Sequence, residues 1–171
     1  MFRIGVFLLT FIVQQSASLI AARLLEYSGL IFEKMRSGIR IIGHRGHPEV
    51  KDALIRFAKW LRNNYEFPIK VPVYLRPERQ LITIHGERCS ATFFAPWDKT
   101  VEPYIRIATG DYEDNKKQRG RDNALAGYLA SLAHEIIHYQ QWIKNNDLSE
   151  RGVAVKASNI VDKYALTVDH P

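Results

Sequence analysis

The chain has 171 residues, 46% hydrophobic and 25% charged, enough to bury one core and too few for two of ordinary size. Its formal net charge is +6, but Lys and Arg are scattered, which argues against nucleic acid as a partner. A single cysteine, Cys89, excludes an intrachain disulfide, and with His85 in a strand-and-turn segment it reads as a packing residue rather than a metal ligand.

Residues 1–32 form an apolar N-terminal segment in which Ile4 to Ala22 carries no charge. Three readings stay open. As a membrane anchor, residues 4–22 are long enough to span, although Gln14 and Gln15 oppose insertion; Arg23, Lys34, Arg36 and Arg40 would then keep the remainder in the cytoplasm. As a buried helix, the segment continues into Leu24, Leu25, Leu30, Ile31 and Phe32. As a cleaved signal it has Arg3 before the apolar run and Ser16, Ala17 and Ser18 after it. An anchored protein with a cytoplasmic domain is set ahead of a soluble cytoplasmic or a secreted one. Residues 33–48 read as a basic connector closing on Gly43-His44-Arg45-Gly46-His47-Pro48, a turn whose histidines are expected in solvent.

Residues 49–171 read as one folded domain. A helix is predicted over Glu49–Tyr65, where Val50, Leu54, Phe57, Ala58, Leu61 and Tyr65 recur at three- and four-residue intervals. Strands are predicted over Ile69–Leu75, Leu81–His85, Ala91–Ala95 and Tyr104–Ala108, close enough for a small mixed or antiparallel sheet. A polar loop is expected from Gly110 to Gly120. Helices follow over Asp122–Asn145, capped by Asp122 or Asn123, and over Leu148–Leu166. The order helix, sheet, helix, helix defines an α+β fold.

The first of these two helices carries His134-Glu135-Ile136-Ile137-His138. Histidines four residues apart project from one side of a helix, so both imidazoles reach one tetrahedral Zn²⁺. Glu135 lies about 100° further round the axis, beside the metal and free to act on its water. Zinc acidifies that water and polarises a carbonyl, while the carboxylate accepts the proton and passes it to the leaving group. The apolar stripe Leu125, Leu129, Leu132, Ile136 and Ile143 lies opposite the histidines. Gly127 and Ser131, on the histidine face, leave room for a cleft.

A catalytic zinc needs a third protein ligand. Gln141 and Lys144 stand where the metzincin pattern requires glycine and histidine. On the last predicted helix the inward face is Val153, Ala157, Ile160, Val161 and Tyr164, and Glu150 falls on that arc, which makes it the candidate third ligand; Asp162 projects to one side. The competing reading of Glu150 is a capping box formed by Asp147-Leu148-Ser149-Glu150.

His-Glu-Ile-Ile-His followed by a glutamate helix resembles the gluzincin branch of the zincin metallopeptidases, and over roughly the last 120 residues the chain is similar to compact minigluzincins. The resemblance implies a zincin-like fold of backing helix, sheet, active-site helix and glutamate helix. It implies zinc-dependent hydrolysis of a peptide or protein substrate. It also implies that an edge strand binds extended peptide, here through Tyr104, Ile105, Arg106 and Ile107. Many gluzincins place Asp four residues after the glutamate ligand to orient a histidine. This chain has Ala154 there, so that support must come from elsewhere. By position, Tyr164 and His170 are the candidates for an oxyanion donor. The alternatives to a peptidase are a non-catalytic zinc-stabilised regulatory or binding module and a membrane-tethered accessory protein.

Overall fold

The computed structural model describes residues 37–83 and 85–171. The apolar segment of residues 1–32 and its three readings lie outside the described residues. No helix among the described residues is long and apolar enough to cross a membrane. The described chain is α+β: a four-stranded mixed sheet, a two-stranded antiparallel ribbon and four helices.

Strand β1 (Ile39–Ile42) arises in the stretch read as a connector. Its amphipathic signal is short, and its partner lies beyond a helix. Gly38 starts it at φ +98°, its N–H bonding Phe67 O and its carbonyl accepting from Val71 N–H, both at 2.9 Å. The following turn needs glycine at Gly46, where a Cβ would lie 2.4 Å from Leu75 Cβ. Of the two turn histidines, His44 is exposed, as expected. His47 is half-buried: its ring packs 4.4 Å from that of Tyr112 and its Nε2 lies 3.0 Å from Glu113.

Helix α1 (Pro48–Asn64) has proline in its first turn and buries Val50, Ala53, Leu54, Phe57, Ala58 and Leu61. It links β1 to β2 (Val71–Arg76), its parallel neighbour. Within the run Leu81–His85 lies β3 (Leu81–Ile82), which pairs with β4 (Arg88–Cys89). Then come β5 (Ala91–Phe94) and β6 (Tyr104–Ala108). The sheet order is β1-β2-β6-β5, parallel except for the antiparallel β5–β6 pair. Val71, Val73, Leu75, Ile105 and Ile107 of the two inner strands are fully buried or nearly so.

The segment expected as a loop from Gly110 to Gly120 contains helix α2 (Tyr112–Arg119). It is polar and buries only Tyr112, so it offers no apolar periodicity to read. Its anchor is electrostatic: Glu49, in the first turn of α1, accepts from Tyr112 Oη at 2.9 Å, Lys116 Nζ at 2.7 Å and Arg121 Nε at 2.9 Å. Those donors pull its carboxyl down to about 2.

Helix α3 (Arg121–Ile143) is the long axis of the site, packing on β5, β6, α1 and α2. Neither Asp122 nor Asn123 caps it. Gly120, at φ +79°, turns the chain between α2 and α3, Asp122 pairs with Arg121, and Asn123 donates back to Arg119 O. Helix α4 (Val153–Ala165) packs along α3 and starts five residues later than expected, after Gly152 at φ +72°. Residues 148–152 are therefore irregular, and the capping-box reading of Glu150 falls. Ser149 Oγ accepts from Arg151 N–H, and the Glu150 carbonyl accepts from Val153 N–H.

Candidate metal centre and cleft

Four apolar positions of the α3 stripe, Leu125, Leu129, Leu132 and Ile136, are at most 1% exposed, which fixes the rotation of the helix. That rotation leaves His134 and His138 on a separate face, their ring centroids 4.9 Å apart. Glu150 comes from the irregular turn before α4. His134 Nε2 and His138 Nε2 are 3.2 Å apart, with Glu150 Oε2 3.2 Å from the first and Glu150 Oε1 3.1 Å from the second. These three side chains form a group that could hold a metal ion. Burial, the largest influence, lowers the His134 pKa, with His138 acting in the same direction and Glu150 opposing; the neutral ring with a free lone pair is favoured.

Glu135 is buried on the flank of this group, at 7% exposure. Burial pushes its carboxyl up to about 7, the negative charge of Glu150 adds to the rise, and a hydrogen bond from Phe93 N–H moderates it. A carboxyl in that range exchanges a proton readily near neutral pH.

A cleft of about 570 Å³ opens beside His134 and Glu135. Gly127 and Ser131 line it, as the sequence suggested, facing Ala154 and Ser158 of α4, while Ser90 and Ala91 close the side nearest β5. Asp162 also lines it, although the helical wheel set that residue aside.

Two expectations need correction. Tyr104, Ile105, Arg106 and Ile107 belong to β6, which is bonded to β2 on one side and β5 on the other and has no open edge for a peptide. Among the described residues, the edge left open beside the site is that of β5. Its residue Phe93 turns its N–H toward Glu135, and in an antiparallel pair Ala91, two residues earlier, presents its backbone to the same side. The second correction is Tyr164. It is 3% exposed and packs on Phe57 and Trp60 of α1, ring centroids 5.0 and 5.5 Å away. Standing eleven residues beyond Val153, it is roughly 16 Å along the helix axis from the end of α4 nearest Glu150. His170, the other oxyanion candidate, pairs with Asp122 at the opposite end of α3.

Sequence reasoning passed over Phe93 and Gln141, whose Oε1 lies 3.0 Å from His138 Nδ1. A polar residue three positions after the second histidine of the motif was the available signal for Gln141. Comparisons with protein-family models, with curated proteins and with solved structures gave no match.

Proposed function

We propose that this protein is a zinc-dependent hydrolase. Within that class it acts as a peptidase of the gluzincin type, with His134, His138 and Glu150 as ligands and Glu135 as the proton-transferring group. The observation that carries the reading is the spacing of the ligand atoms. A tetrahedral zinc with arms of about 2.0–2.2 Å subtends edges of about 3.3–3.6 Å. His134 Nε2 and His138 Nε2 are 3.2 Å apart, and Glu150 lies against both, Oε2 3.2 Å from the first and Oε1 3.1 Å from the second. One ligand atom from each residue lies within 4.8 Å of the other two, and an adjustment of the exposed Glu150 side chain would close the set around an ion. Two imidazoles and a carboxylate are also a donor set that zinc accepts.

A zinc ion held there supplies Lewis acidity, lowering the pKa of water and polarising a scissile carbonyl. The remaining functions belong to the chain. Glu135, oriented by Phe93 N–H, takes a proton on its carboxylate and returns it to the departing amine. The free edge of β5 pairs with an extended peptide backbone, and the cleft between α3 and α4 receives a side chain. Small residues along that cleft make room without dictating one side chain.

The test is hydrolysis of a mixed peptide pool by zinc-loaded protein, with and without chelator. Activity is expected to vanish with chelator and to fall by about a hundredfold or more in Glu135→Gln, which keeps its zinc. An active Glu135→Gln protein would overturn the role of Glu135. A zinc-bound wild type that cleaves nothing would leave the site to a non-catalytic module.

A further inference from the structure

Glu150 is an unusual ligand in this fold. It stands on an irregular turn, and its side chain is 76% exposed, so packing does not hold it. The adjacent residue, Ser149, is held by one side chain. Gln141 Nε2 donates to Ser149 O at 2.9 Å, and Ser149 N–H donates to Gln141 Oε1 at 3.2 Å. The Gln141 amide thus pairs with both backbone groups of Ser149, as a neighbouring strand would.

That pairing fixes which end of the amide is oxygen. With the amide reversed, its NH₂ would face the Ser149 N–H and its oxygen the Ser149 carbonyl, two repulsive contacts in place of two hydrogen bonds. Oε1 is therefore an acceptor, and it also lies 3.0 Å from His138 Nδ1. An acceptor at that distance requires Nδ1 to carry a proton. Neutral His138 then has its lone pair on Nε2, the atom facing His134 Nε2 and Glu150. The opposite tautomer would put the proton on Nε2, where it donates to Glu150 and must be displaced before any metal enters.

We infer that Gln141 is the positioning residue of this site: its one amide selects the metal-competent tautomer of His138 and holds the turn that presents Glu150. The metal-binding half of this inference rests on the zinc reading above; the tautomer half does not. It supplies the histidine support that Ala154 cannot give. It also couples a ligand on a rigid helix to one on an irregular segment, so the two move together.

The experiment uses the full chain in three forms: wild type, Gln141→Met, which keeps the length of the side chain and removes its hydrogen bonds, and Gln141→Glu. The glutamate keeps an acceptor for His138 Nδ1–H and Ser149 N–H but sets its second oxygen against the Ser149 carbonyl, so it preserves the tautomer contact and disrupts the hold on the turn. In metal-free protein at alkaline pH, ¹⁵N NMR of His138 is expected to show Nδ1–H in wild type and in Gln141→Glu. A shift of population to Nε2–H is expected in Gln141→Met. Zinc affinity, measured by competition with a chelator, is expected to fall about 10- to 100-fold in Gln141→Met, which loses both the tautomer contact and the turn, and by less in Gln141→Glu, which keeps the tautomer contact. A His138 tautomer and a zinc affinity both unchanged in Gln141→Met overturn the inference. Wild type that shows Nδ1–H but binds no zinc overturns the zinc reading and leaves the tautomer lock standing. A misfolded Gln141→Met is recognised by circular dichroism, and Gln141→Ala then takes its place with the same expected outcomes.

Discussion

Replacing Glu135 with Gln should stabilise the metal-free protein at neutral and alkaline pH, because the carboxylate is kept at a cost to folding. The carboxyl is buried, and its pKa rises from 4.5 to about 7. Each pKa unit corresponds to about 1.4 kcal/mol, so the roughly 2.5-unit rise sets a penalty of about 3 kcal/mol once both folded and unfolded states are ionised. The sign follows from proton binding: the folded state holds this proton more tightly than the unfolded state does. The penalty is therefore absent below pH 4.5, grows as pH rises towards 7, and is complete above it. Gln cannot ionise and still offers an oxygen to Phe93 N–H. Urea unfolding with chelator present, at pH 4.5 and pH 8.5, should show the two proteins nearly matched in acid and the variant more stable by about 3 kcal/mol in base. Equal stability at pH 8.5, or a variant less stable there, would refute the assignment of Glu135 as a buried, strained carboxyl.

Glu49→Gln tests the electrostatic anchor of α2. The wild-type carboxyl is lowered to about 2, so its contribution is present above pH 4.5 and is lost as pH falls from 4.5 towards 2. Acid titration of stability should show that loss in wild type and a flatter profile in Glu49→Gln. Gly110→Ala should destabilise by about 2 kcal/mol or more in thermal unfolding. The new Cβ would lie 2.1 Å from Pro77 O and 2.8 Å from Glu78 C, backbone atoms that cannot turn aside. A Gly110→Ala protein of unchanged melting temperature would contradict that packing.

The parts of the fold legible in the sequence are those set by local periodicity. The buried stripe of α3 gives the rotation of the helix, and the rotation brings His134, Glu135 and His138 to one region. Glu150 does meet the histidines, but from a turn ahead of α4 rather than from the helix face used to select it. The illegible parts depend on partners distant along the chain. Strand β1 is four residues long and is stabilised by β2 across an intervening helix. Helix α2 owes its place to Glu49, more than sixty residues away from Tyr112. The order β1-β2-β6-β5 depends on β5 folding back antiparallel on β6, and no pattern within Tyr104–Ala108 reveals that both of its edges are occupied. Gln141 gains its meaning only when the chain returns through Ser149.

The most direct test of a zinc site is metal content after exhaustive dialysis of zinc-loaded protein, compared among wild type, Glu135→Gln and a His134→Ala/His138→Ala double variant. If His134, His138 and Glu150 hold zinc, wild type and Glu135→Gln each retain a single ion and the double variant retains none. Zinc absent from wild type, or retained by the double variant, would contradict it.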